Sequence, residues 1–402
     1  MRQLLFPTNA QFWFETLRMF GAIAYGGADF GEVLTTADRI TDGDYESWYT
    51  EWLATAERVA ADGDRALKAG HRVTARDAFL RASNYYRSAE FFLHSHTPDP
   101  RHEHAYARSV ECFRAAAELF EPAIQPVAIP YEGTTLSGYF YRVDNSGAPR
   151  PTLLLHTGFD GSAEEMHFGG SVAAIERGYN VLVFDGPGQA AAIHGQGLPF
   201  RPDWENVVGP VIDFAETLPE VDTTKIALMG VSLGGLLAPR AAAFEHRLAA
   251  VIANDGVYDA RAAFLSGVPD DETVRRLRAE SDPELDQVLA NTMAGNETAR
   301  WGLNHGMFVT GTATPRAFLA AMLDYHLGDG VAEKITCPTL VCKAENDLFF
   351  KDQPEGLFEH LTSQKTFLEF TELDGADAHC HVGAQRLALG RMYDWLDDTL
   401  GL

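Results

Sequence analysis

Between Asp44 and Phe120 apolar residues recur at three- and four-residue steps, most clearly in Ala75, Ala78, Phe79, Ala82, Tyr85, Tyr86, Ala89, Phe92 and Leu93. That spacing lines one side of a helix, so the segment predicts a helical bundle whose aromatic stripe is core and not a cofactor box. Gly70 and the turn Thr97-Pro98-Asp99-Pro100 divide it, and a third helix, roughly 101–120, stops before Pro122. After Pro126 the pattern changes. Runs at 127–129 and 136–141 around Glu132-Gly133 predict a hairpin, and short apolar runs follow at 152–155, 180–184, 225–229, 250–252, 339–342 and 366–370. These runs are continuous and separated by helical stretches, which predicts a mostly parallel sheet covered on both faces, a doubly wound α/β core with an antiparallel start. More than eighty residues separate Ile252 from Leu340. They include charged helical stretches at 270–281 and 283–294, and a plain crossover needs far fewer residues, so the segment predicts a helical cap insertion over the carboxyl ends of the strands. The expected division is a helical N-terminal region (1–125), a first core part (126–256), the cap (257–335) and a second core part (336–402).

Composition narrows the partners. The 402 residues carry 57 Asp+Glu against 32 Lys+Arg, a formal charge of −25 that repels phosphate backbones and anionic bilayers. No nucleic acid and no membrane is expected as a partner. The N-terminal stretch MRQLLFPTNAQFWFETLRMF is apolar, but Pro7, Asn9, Glu15 and Arg18 interrupt it, unlike the core of a leader peptide. The four cysteines, Cys112, Cys337, Cys342 and Cys380, show no paired ligand spacing and are too few for a disulfide framework, which points to the cytoplasm.

The chemistry centres on Gly230-Val231-Ser232-Leu233-Gly234-Gly235, placed where a predicted strand meets a helix. A serine on such a turn sits in a cramped backbone, and small neighbours two positions either side relieve it. An acid and a histidine follow in the chain order such a sheet requires: Asp347 after the strand at 339–342, and His379 after the strand at 366–370. Ser232 is therefore the candidate nucleophile, His379 the base and Asp347 the acid that orients it. Asp255, ending the strand at 250–252, is an alternative acid. His381 is an alternative base, or else a polar residue opening the last helix. The backbone N–H of Leu233 and that of Phe159, in His156-Thr157-Gly158-Phe159-Asp160-Gly161, are the expected oxyanion donors. His94, His96, His102 and His104 flank a proline-containing turn and are read as solvated loop groups and not a metal site, because no Cys or carboxylate completes a second clear ligand pair. No dinucleotide, P-loop or zinc spacing is present, so neither cofactor nor metal is expected.

Taken together, the serine turn, the 156–161 turn, the His379-Cys380 pair and the long helical N-terminal region resemble the α/β-hydrolase superfamily over residues 125–402. The resemblance is closest to the fermentation-respiration-switch-related group, which includes 2,6-dihydroxypseudooxynicotine hydrolase and fungal heptaketide hydrolases. It implies an α/β-hydrolase fold and the roles given above for Ser232, Asp347 and His379. It also implies cleavage of a carbon–carbon bond beside a ketone, through an acyl-enzyme, in an aromatic or polyketide-like small molecule. No position matches the additional cap carboxylate of the nicotine-pathway member. A carboxylesterase or peptidase, and a non-catalytic binding protein on the same fold, remain alternative readings, and a homodimer through residues 1–125 stays open.

Overall fold

The computed structural model describes residues 3–96, 98–265 and 267–402. Thr97 and the side chain of His96 lie outside the described residues. Eight strands form one sheet: β1 (Gln125–Tyr131), β2 (Thr134–Tyr141), β3 (Arg150–His156), β4 (Asn180–Phe184), β5 (Val221–Val231), β6 (Ala250–Asn254), β7 (Thr339–Ala344) and β8 (Lys365–Phe370). Their order is β1-β2-β4-β3-β5-β6-β7-β8. The hairpin β1/β2 and the β2/β4 pair are antiparallel, and all the other pairs are parallel. Every residue of β4 and β6 is buried. Strands buried on both faces need no polar alternation, which is why these segments read as unbroken apolar runs.

The strand order reverses at β3, with β4 on one side and β5 on the other. A crevice opens at the carboxyl ends of strands at such a switch point. His156, the last residue of β3, pairs there with Gly230 near the end of β5.

Five helices precede the sheet: α1 (Ala10–Ala22), α2 (Phe30–Ala37), α3 (Tyr45–Lys68), α4 (Arg72–Glu90) and α5 (Pro100–Ala117). Their boundaries are written in the caps. Asn9 accepts from Phe12 N–H, and Asp44 accepts from Glu46 and Ser47 N–H; Asp99 accepts from Arg101 N–H beside a proline at the first turn. The predicted stripe on α4 is buried, with Tyr85 and Tyr86 at 2% exposure or less, as core. Helices α1 and α2 lie ahead of Asp44, where periodicity had given no helix.

On the core, α6 (Val172–Ile175), α7 (Ala190–Gln196), α8 (Glu205–Glu216) and α9 (Gly234–Ala242) connect the central strands. The cap region carries α10 (Arg261–Leu265), α11 (Asp271–Arg278), α12 (Pro283–Gly295), α13 (Glu297–Thr310) and α14 (Pro315–Met322), and α15 (Gln353–His360) and α16 (Gln385–Leu400) complete the chain. None of the helices among the described residues is long and apolar enough to cross a membrane.

Leu154, Leu182 and Leu228 on one sheet face pack with α8, α9 and the cap. The opposite face, with Leu153, Leu155, Val181 and Met229, packs with α16 and also with Phe79, Phe113 and Ile124 of the N-terminal region. That region is thus part of the core. It also holds the cap: the Trp301 indole on α13 donates to Phe91 O at 2.9 Å, and the two rings stack with centroids 4.8 Å apart. A chain beginning at Glu121 is therefore expected to expose this apolar face and go to the insoluble fraction. Soluble expression with wild-type melting and turnover would contradict that.

The histidine expectation is corrected here. His104 is exposed, but His94 and His102 are 3% and 2% exposed, packed against Glu90 and beneath α13. The local sequence shows a polar turn; the helix that covers it lies some two hundred residues away.

Candidate active site

Strand β5 ends at Val231 and α9 begins at Gly234. Between them Ser232 has φ +63°, a left-handed conformation that costs a non-glycine residue energy and is held by its surroundings. Its N–H donates to Asn254 O at 2.6 Å. The glycines are explained by what a methyl group would strike. At Gly230 it would lie 2.0 Å from Gly234 O, at Gly234 2.8 Å from Thr157 O, and at Gly235 1.7 Å from Asp255 O. Packing this tight raises the serine from the end of the strand into the crevice.

Ser232 Oγ lies 2.9 Å from His379 Nε2, and His379 Nδ1 lies 2.8 Å from Asp347 Oδ2. The other Asp347 oxygen accepts from the N–H groups of Phe349 (2.7 Å) and Phe350 (3.1 Å), a local turn that fixes the carboxylate. Burial opposes protonation of His379, but the Asp347 charge, together with hydrogen bonds to Asp347 and Asp255, outweighs it and holds the imidazole well above its ordinary value.

Asp255 is fully buried and stands farther from His379, its Oδ2 3.4 Å from Nδ1. That oxygen accepts from Cys380 N–H at 2.8 Å, and Oδ1 lies 3.0 Å from His381 Nε2. Burial raises the Asp255 carboxyl, but His381 and His379 hold it well below the usual carboxylate range. Cys380 and His381 both have positive φ, +51° and +57°. Asp255 therefore pins a strained turn that presents His379, and His381 points away from Ser232 into that anchor. The expectation of His381 as a polar residue opening the last helix is corrected accordingly: it is wholly buried, 3.0 Å from Ala376 O, and α16 starts later, at Gln385. The Cys380 thiol lies 3.3 Å from His379 Nε2, and burial pushes it up.

Leu233 is buried directly after the serine. The loop after β3 abuts it so closely that a methyl group on Gly158 would lie 2.5 Å from Leu233 N. Phe159 follows, and its carbonyl is 2.8 Å from His305 Nε2 on α13, so the cap fixes this loop.

Ser232, His379 and Cys380 open onto a cavity of about 290 Å³, walled by Phe14 of α1, Phe91, Phe159, Phe264, Trp301 and Phe349. Of the aromatics ahead of the sheet, Phe12, Tyr85, Tyr86 and Phe92 turn inward to one another, so only part of that supply reaches the cavity. Its other wall is polar. Arg18 donates to Glu165 at 2.5 Å and to Asp160 at 3.1 Å, with Glu15 alongside. Burial raises the Glu15 carboxyl to about 7 against the pull of Arg18 and Arg87. Sequence reasoning missed this wall, although Glu15 and Arg18 were visible as charges interrupting an apolar stretch. The cavity carboxylates come from α1 and the β3 loop, not from the cap.

The profile described as "Alpha/beta hydrolase family" matches residues 152–388, and "Esterase FrsA-like" matches residues 32–260. Hydrolase acrC of Aspergillus aculeatus is 36% identical over 96% of this chain and 96% of its own. The 20-hydroxy-prefusarin hydrolase FUS2 of Gibberella moniliformis is 36% identical over 97% of each. Among solved structures, 2,6-dihydroxy-pseudo-oxynicotine hydrolase superposes with a TM-score of 0.75 at 21% identity, covering 95% of both chains, which shows a shared fold.

Proposed function

Because the chain belongs to the alpha/beta hydrolase family, we propose that it is a serine hydrolase acting on a carbonyl group of a medium-sized, partly aromatic or polyketide-like small molecule. The observation that carries this is the connected chain Ser232 Oγ, His379, Asp347, opening onto an aromatic-walled cavity. Ser232 Oγ attacks the carbonyl carbon as His379 takes its proton; Asp347 steadies the imidazolium, and the N–H groups of Leu233 and Phe159 receive the oxyanion. On collapse a carbon–carbon bond beside the ketone breaks, its electron pair leaves as an enolate, and His379 returns the proton to it. Water, deprotonated by His379, then releases the acyl group from Ser232 as a carboxylic acid.

The polar wall of Arg18, Glu15, Asp160 and Glu165 supports a substrate that carries oxygen functions as well as an aromatic or apolar body. The second reading, a carboxylesterase, is favoured by the FrsA-like esterase match. The two share every step except protonation of carbon instead of oxygen. Steady-state comparison of acylphenol ketones and β-diketones with p-nitrophenyl esters separates them: higher kcat/KM on the ketones supports carbon–carbon cleavage, and turnover of esters alone overturns it.

The pH profile follows from His379. The base must be neutral to accept the serine proton, and Asp347 with Asp255 holds its pKa above the ordinary 6.5, against burial. Activity is therefore expected to fall as pH drops through that raised value, with the acidic limb of kcat/KM above 6.5 in wild type and shifted downward in Asp347→Asn. A limb below 6.5, unmoved by the substitution, would contradict this assignment.

A further inference from the structure

We propose that Glu90, His94 and His102 form a zinc site that ties the helical N-terminal region together beneath the cap. Glu90 is the last residue of α4, His94 stands one turn beyond it, and His102 lies in the first turn of α5. All three are buried, at 5% exposure or less. One ligand atom from each converges, all within 4.8 Å of one another: Glu90 Oε2 is 2.5 Å from His94 Nε2 and 3.1 Å from His102 Nε2. Zinc bound tetrahedrally at its usual nitrogen and oxygen distances separates such donors by roughly 3.3 Å, so an ion between them asks for side-chain shifts of under about an ångström.

A hydrogen-bonded cluster without metal leaves too much unpaired. His94 Nδ1 and His305 Nδ1 are buried without a hydrogen-bond partner, and His102 Nε2, although 3.1 Å from Glu90 Oε2, is poorly aligned with it; an orphaned polar atom in a packed interior carries its full desolvation cost. Zinc takes up the His102 nitrogen. Beside the set lies a cavity of about 20 Å³, lined by Glu90, His94, His194 and His305. It has room for a single water, which can serve as a fourth ligand and reach a further imidazole nitrogen.

Two histidines and one carboxylate also hold non-haem iron, but that site keeps several open positions, whereas the three donors here are buried and fit four-coordinate zinc with one water. Arg87 lines the cavity too, with its guanidinium 3.8 Å from Glu15 and from Glu165, so its charge is directed to those carboxylates. The role is structural. His94 stacks on His305 with centroids 4.3 Å apart, and His305 holds Phe159 O, so an ion that fixes His94 steadies the support of the cap and of the loop that carries Phe159.

The full chain, expressed with zinc in the medium and purified without chelator, is expected to hold about one zinc ion per molecule by elemental mass spectrometry. Chelation lowers its melting temperature, and zinc chloride alone restores it. Glu90→Gln and His102→Gln, which keep size and hydrogen-bonding reach, each cut retained zinc at least about tenfold. His379→Gln retains it; this control covers the second convergent set, Asp255, His379 and Cys380. The proposal is overturned if folded wild-type protein, checked by circular dichroism, neither contains zinc nor takes it up from zinc chloride. It is equally overturned if Glu90→Gln and His102→Gln both keep wild-type zinc, or if His379→Gln abolishes it.

Discussion

Ser232→Ala is expected to cut kcat by at least about 10³-fold on any substrate the protein turns over, because the serine, histidine and acid act as a unit and the residual rate comes only from binding and the oxyanion donors. Little else should change. The side chain's hydrogen bond is to His379, while the backbone bond that seats the turn, Ser232 N–H to Asn254 O, is kept by alanine. Alanine also fills the left-handed position at about the same conformational cost as serine. Melting temperature and ligand affinity should therefore stay near wild type while turnover disappears. A variant that keeps wild-type kcat in a contamination-free preparation would remove Ser232 from the nucleophile role.

The second large effect distinguishes the two carboxylates near His379. Asp347→Asn keeps the shape of the site but presents an amide where the imidazole N–H needs an acceptor, and the loss in kcat is expected to be on the order of 10⁴-fold with little change in melting. Asp255→Asn should differ in kind. Its amide oxygen can still accept from Cys380 N–H at the position now 2.8 Å away, but the charge beside His381 is lost from a fully buried place. Losing the favourable partner of a buried polar group typically costs about 1–3 kcal/mol, so melting should fall while kcat falls much less than in Asp347→Asn. Kinetics and thermal unfolding on both variants decide it. Equal kinetic losses, or the reverse order, would make Asp255 the acid.

These carboxylates also show what the sequence could carry. Ser232, Asp347 and His379 each stand at the carboxyl end of a strand that announced itself by an apolar run, and chain order linked them. The glycine spacing identified the turn because the collision between Gly230 and Gly234 is local to the motif, whereas the contacts of Gly234 with Thr157 and of Gly235 with Asp255 come from distant segments. The anchoring of His381 by Asp255 was not legible, since it joins positions far apart in the chain through a fully buried contact. Glu15 and Arg18 looked like interruptions of an apolar stretch, and only their partners Asp160 and Glu165, from the loop after β3, make them a cavity wall. His94 and His102 looked solvated for the same reason: Trp301 and His305, which cover His94, and Phe308, which covers His102, come from the cap. Periodicity reports which face of an element is apolar. It does not report what a distant segment lays over the polar positions.

The central claim is that Ser232 is an activated nucleophile lining the aromatic cavity. Reaction of the intact full-length protein with a fluorophosphonate, followed by peptide mass spectrometry, tests it most directly, because only a serine whose proton is drawn off by a neighbouring base attacks the phosphorus at a useful rate. The expected result is a single adduct on the peptide bearing Ser232, lost in Ser232→Ala and slowed strongly in Asp347→Asn. A folded wild-type protein that stays unlabelled, or that carries the adduct on another residue, would contradict the account.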